Sequence, residues 1–192
     1  NPLSDTAFHE LAEEYGLVLT NEEKAILKTL PELRRAEVGS VHVALEAKAC
    51  MTDHNKARPR LYDELNSSHQ TIHGSSSIAI AAGFVMVNLS ETFTSSDSNK
   101  WNLKDQAARV TRHVQPRAAL STIQKVSEIP RRSSTQQPGF DALGIVIVNC
   151  KNDGSRIKLV EAPPAPGPDD IYHYSQMIYR IAHIYSARFA QI

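Results

Sequence analysis

Apolar positions along this chain recur with two different periods, and the switch between them separates helices from strands. Phe8, Leu11, Ala12 and Tyr15 fall at three- and four-residue steps, which predicts a helix over Thr6 to Gly16, with the glycine as its stop. Thr20-Asn21-Glu22-Glu23 has the form of a capping box, so a second helix is expected from Thr20 toward Pro31 with Ile26, Leu27 and Leu30 inward. From Val41 to Lys48 the period becomes two, the mark of a strand. Leu33 to Val38, closed by Gly39-Ser40, supplies the first arm of a hairpin with that strand. In the strand, Val41, Val43, Leu45 and Ala47 share a face expected to be buried against a helix. His42, Ala44, Glu46 and Lys48 share the polar face.

Pro59 suits the first turn of a helix over Arg60 to His73, whose inward side is Leu61, Leu65 and Ile72 and whose stop is Gly74. Ile78 to Leu89 is continuously apolar and reads as a strand buried on both faces, an interior position in an α/β sheet. Ser90 to Gly139 is polar, Ser/Thr-rich and basic, with a helix expected from Leu103 or Pro116 to Val126; it has the character of an arm or insertion at about residues 90–139. A second buried strand follows at Ala142 to Val148, then a turn at Asn152-Asp153-Gly154, an outer strand from Arg156 to Val160 and a proline-rich connector, Pro163 to Pro168. The terminal helix opens at Asp169 and Asp170. Its stripe of Ile171, Tyr174, Ile178, Ile181, Tyr185 and Phe189 is expected to pack on the sheet.

A length of 192 residues points to a single domain spanning 1–192 and large enough to bury a core. No apolar run reaches the roughly 18–20 residues of a membrane span, and no secretory signal is visible, so the expected location is intracellular, in the cytoplasm, without membrane association. The two cysteines, Cys50 and Cys150, lack metal-ligand spacing and are read as reduced thiols. Net charge is zero, but it is segregated. Residues 1–37 hold eight acids against four bases, and residues 104–132 hold seven bases against two acids. A neutral chain built this way can present an electropositive face to phosphate.

The chemistry concentrates at Glu46-Ala47-Lys48, where strand geometry projects an acid and a lysine together. A second acid-x-Lys triplet, Glu22-Glu23-Lys24, lies at a helix start and lacks that setting. Helices, a hairpin bearing Glu46-Ala47-Lys48, then a helix and another buried strand resemble the PD-(D/E)XK nuclease superfamily, which includes many restriction endonucleases. The resemblance implies an α/β, restriction-endonuclease-like fold: a mixed central sheet of about five strands flanked by helices. It further implies a Mg²⁺-dependent endonuclease, with Mn²⁺ as substitute, acting on double-stranded DNA as a homodimer in a type II-like restriction or defence role. The alternatives are a repair or recombination nuclease and a noncatalytic DNA-binding module on the same fold.

Within that resemblance Glu46 and an upstream acid are the metal ligands, joined by the carbonyl of Ala47, and Lys48 orients the attacking water and stabilises charge on the phosphate. The family's upstream acid is usually an aspartate, whereas glutamates stand here. A symmetric hairpin centred on Gly39 sets Glu32 opposite Glu46, and a wider turn favours Glu37; Glu10, Glu13 or Glu14 are further options. Lys56, Arg58 and Arg60 are expected on the rim of the site as phosphate contacts, and Arg109, Arg112 and Arg117 of the basic arm as groove contacts. Asn66 to Gln70 is read as capping and solvating its helix, and His54, His69 and His73 as scattered surface histidines. Asp141 followed by Asn149-Cys150-Lys151 imitates the nuclease pattern with asparagine in a ligand position, which makes it a poor metal site, and it is read as a core strand exit. Gly74-Ser75-Ser76-Ser77 lacks the lysine of a nucleotide-binding loop.

Overall fold

The computed structural model describes residues 8–14, 16–30, 40–100 and 106–189. The chain divides into two compact units, residues 1–40 and 41–192. In the first, α1 (Phe8–Glu14) ends at Gly16, whose φ of 65° carries the left-handed turn that a glycine adopts without strain. The capping box forms as expected ahead of α2 (Asn21–Leu27). The Glu23 amide donates to Thr20 Oγ1 at 3.2 Å, and the Thr20 amide donates back to Glu23 Oε2 at 2.7 Å. The first hairpin arm at Leu33 to Val38, with Glu32 and Glu37, lies outside the described residues.

The second unit is built on a mixed four-stranded sheet flanked by helices, in the order β1-β2-β5-β6. β1 (Val43–Cys50) runs parallel to β2 (Ile80–Asn88), which runs parallel to β5 (Ala142–Asn149); β6 (Lys158–Val160) closes the far edge antiparallel. The parallel link from β1 to β2 is made by α3 (His54–Ser75), the crossover that parallel strands require. Between β2 and β5 lie a two-stranded ribbon, β3 (Thr92–Phe93) with β4 (Thr111–Arg112), and α4 (Arg117–Ser127). α5 (Tyr174–Phe189) ends the described chain. The two continuous apolar runs are thus interior strands, as their lack of alternation predicts.

The main core lies between the sheet and the helix pair α3 and α4. Leu61 and Leu65 of α3, Ala119 and Val126 of α4, and Val85, Leu143 and Ile145 from the sheet are all buried there. So α4, within the polar segment 90–139, contributes an apolar side to the core. α3 also begins earlier than expected and carries Pro59 inside it, because Asp53, in the left-handed region at φ 48°, starts the helix before His54. On the opposite sheet face α5 packs over β5 and β2. Gly144 makes room for it: a Cβ there would come within 2.7 Å of Met177 Sδ.

α5 stops short of β1, and this reverses the expected faces of that strand. Val41, Val43 and Leu45 are 49%, 38% and 58% exposed, while Glu46 and Lys48 lie on the side that α3 covers. The stripe on α5 is corrected in part. Tyr174, Ile178 and Tyr185 are exposed, although the Tyr174 ring meets Phe84 of β2; Phe189 is buried as expected, and Met177, outside the stripe, is the other buried residue. His42 precedes the strand at a bend, and its ring stacks on Phe189 of α5, away from the Glu46 side, with centroids 4.3 Å apart.

Candidate functional site

Strand alternation brings Glu46 and Lys48 to one face, beside Gly83 and Val85 of β2. Lys48 Nζ lies 2.9 Å from Glu46 Oε1 and 2.9 Å from Oε2 of Glu64, which projects from the middle of α3. Arg60, one helical turn before Glu64, reaches its Oε1 at 2.5 Å. The result is a chain of alternating charge, Glu46, Lys48, Glu64 and Arg60. The first three side chains are about a third exposed and Arg60 is largely in solvent, so the cluster is open to a large ligand.

The electrostatics follow from these contacts. Hydrogen bonds from Arg60 and Lys48 hold the Glu64 carboxyl at a pKa of about 2, well below the ordinary carboxylate range. The hydrogen bonds to Glu64 and then Glu46 push the Lys48 ammonium above its ordinary value. Lys48 is therefore a permanent cation at neutral pH and acts as a donor and a charge, not as a base. Glu64 had no place in the sequence reading. The signal that could have found it is the Arg60 and Glu64 pair at i, i+4 on the helix following the strand.

Two carboxylates converging on one ammonium form a hard, anionic oxygen set of the type Mg²⁺ takes, one or two carboxylates with water completing the shell. Among the described residues no group of three or more His, Cys, Asp or Glu side chains could hold a metal ion. Ala47 lies between the two site residues in β1, in register with Phe84. Neither Glu32 nor Glu37 is among the described residues.

The six basic residues expected to meet DNA separate into distinct groups. Arg60 joins the carboxylate cluster. Lys56, Arg112 and Arg117 line a cavity at the carboxyl ends of the strands, where α3 and α4 begin. Arg58 is half-buried on α3, and Arg109 is exposed, its backbone amide donating to Asn99 Oδ1 at 2.7 Å.

His54, His69 and His73 are not surface residues. His54 and His69 are 3% and 1% exposed, and His73 touches the buried Asp141. Leu61, Leu65 and His69 form one i, i+4 row, so the inward side of α3 simply continues through His69, whose ring meets Phe140 edge-on. Asp141 is fully buried at the start of β5. It takes Arg132 at 2.9 Å, Arg188 of α5 at 2.8 Å and the Ala81 amide at 2.9 Å. His73 Nε2 approaches at 3.4 Å but without hydrogen-bond geometry. Asp141 thereby ties β2, β5 and α5 together. Both cysteines are free and buried, and burial pushes the Cys50 thiol up to about 11.

No family model, no curated protein and no solved structure matches this chain.

Proposed function

We propose that the chain is a Mg²⁺-dependent nuclease that hydrolyses phosphodiester bonds of double-stranded DNA at the Glu46, Lys48 and Glu64 cluster. The observation that carries this reading is the position of Lys48 Nζ, 2.9 Å from both carboxylates on one open face. Such a site presents adjoining anionic and cationic groups to a phosphodiester. Glu46 and Glu64 would hold the ion, with the Ala47 carbonyl and an upstream acid, Glu32 or Glu37, as further ligands. When bound, the ion offsets phosphate charge and lowers the pKa of a coordinated water.

The protein's own contribution is orientation and charge. Lys48, kept protonated by its two partners, donates to the phosphate and stabilises the charge that builds on its oxygens. Arg60 holds Glu64 ionised and directed at Lys48. The outer face of α3 leads from this cluster toward Lys56, so phosphates flanking the cut would meet basic side chains that give affinity without sequence preference. A restriction or defence role on a dimer is the setting this reading takes from the resemblance.

A noncatalytic DNA-binding module competes with it, favoured by the same double pairing, since an ammonium held by two carboxylates also makes a stable surface network. Metal titration separates the two. Magnesium or manganese binding that Glu46→Ala weakens at least tenfold supports the nuclease. Equal binding by both proteins, or none by either, supports the module.

A further inference from the structure

A cavity of about 550 Å³ opens at the carboxyl ends of the parallel strands, where ligands of α/β sheets commonly bind. It is separate from the carboxylate cluster and shares no residue with it. Three cations line it, Lys56, Arg112 and Arg117, against one acid, Asp53. Asp53 reaches Lys56 only at 4.0 Å, and Arg112 and Arg117 are exposed and form no ion pair with any of the described residues. The wall also contains the first residues of both α3 and α4; the α3 start has no side-chain cap, whereas at α4 the Gln115 side chain accepts from the Ala119 amide at 3.1 Å. Two helix starts add their amide dipoles to three side-chain charges.

Asn88, fully buried at the end of β2, anchors the lining residue His54. Its amide group donates to the carbonyls of Met51 and Cys150 at 2.9 and 2.8 Å and accepts from the amides of Ser90 and Cys150 at 3.0 Å each. The Asn88 carbonyl lies 2.9 Å from His54 Nε2. A carbonyl only accepts, so Nε2 carries the proton of a ring that burial keeps neutral. His54 Nδ1 is then a bare acceptor, buried and without a partner among the described residues. His113 is fixed beside it, Nδ1 2.8 Å from the Ser90 carbonyl and Nε2 3.1 Å from the Thr52 hydroxyl.

A cavity of this size, lined by three cations against one acid, calls for an anionic ligand. Val114 and Ala118 give it an apolar side. We propose that it binds a nucleotide through a terminal phosphate monoester, which Arg112, Arg117 and Lys56 take. The ligand's source is either a free mononucleotide or the phosphorylated end of a DNA strand.

Calorimetric titration of the full chain with three probes tests this: thymidine 5′-monophosphate, a short single-stranded oligonucleotide with a 5′-phosphate, and the same oligonucleotide without it. The phosphorylated strand is expected to bind at least tenfold more tightly than the unphosphorylated one, and Arg112→Gln/Arg117→Gln to remove that difference. Tight binding of the mononucleotide identifies a free nucleotide as the ligand, and binding of the phosphorylated strand alone identifies a strand end. Equal binding of both strands, no binding of any probe, or an unchanged preference in the double variant overturns the proposal. None of these outcomes depends on cleavage at Glu46 and Lys48.

Discussion

Lys48 and Glu64 meet at 2.9 Å across the junction of β1 and α3, and Glu46 reaches the same ammonium at 2.9 Å from within the strand. A lysine between two carboxylates is held in place and held charged. Removing either acid therefore changes the direction and the protonation of the lysine as well as the number of oxygen donors.

Glu64→Gln keeps the shape of the side chain but removes its charge. Cleavage of DNA is expected to fall by about 10²–10³, the loss typical of deleting one electrostatic contact to a transition state. The thermal midpoint should move little, because the pair is solvent-exposed. Steady-state rates and a melting curve for the variant check both halves of this expectation; wild-type turnover would exclude Glu64 from the site.

The pH dependence of the same contact has a defined sign. The Glu64 carboxyl is depressed from 4.5 to about 2 by Arg60 and Lys48. Its contribution to stability is therefore fully present above about pH 4.5 and is lost as pH falls toward about 2. A carbon-detected NMR titration should place its midpoint well below the ordinary carboxylate range. Glu64→Gln should flatten the part of the acid-unfolding curve that lies in this window.

Asp141 governs stability in a different way. Burial alone would raise its pKa, but hydrogen bonds from Arg132, the Ala81 amide and Arg188 outweigh that and lower it. It thus stabilises the fold above the ordinary carboxylate range and less as acid protonates it. Asp141→Ala leaves Arg132, 2% exposed, without its carboxylate and is expected to cost about 3–5 kcal/mol in denaturant unfolding.

The two leucines Leu45 and Leu65 should respond oppositely. Leu45 is 58% exposed on β1 and Leu65 is fully buried on α3. Leu45→Ser should change unfolding free energy by no more than about 0.5 kcal/mol, whereas Leu65→Ala should cost about 2–5 kcal/mol. Equal costs would return Leu45 to the core and restore the face expected from the sequence.

That pair shows where sequence reasoning worked and where it stopped. Period-two alternation correctly put Glu46 and Lys48 side by side, and uninterrupted apolar runs located β2 and β5 as interior strands. Alternation alone says which residues share a face but not which face a helix will cover. β1 buries its polar side because α3 brings Glu64 to meet Lys48, and α5 does not extend over the apolar side. Asp141 illustrates the other limit. A local pattern marks it as an acid beginning an apolar strand, while the arginines that neutralise it, Arg132 and Arg188, come from separate parts of the chain. His54 was hidden for a similar reason, since the carbonyl that orders it belongs to Asn88 at the end of another strand.

The most direct measurement is cleavage of supercoiled plasmid and linear duplex DNA by the purified chain in Mg²⁺, beside an EDTA control and the Glu46→Ala and Lys48→Ala variants. Metal-dependent cutting that falls at least a hundredfold in both folded variants is the expected result. Cutting by either variant at the wild-type rate, or no cutting by the folded wild-type protein on methylated and unmethylated DNA alike, would contradict the assignment of this site.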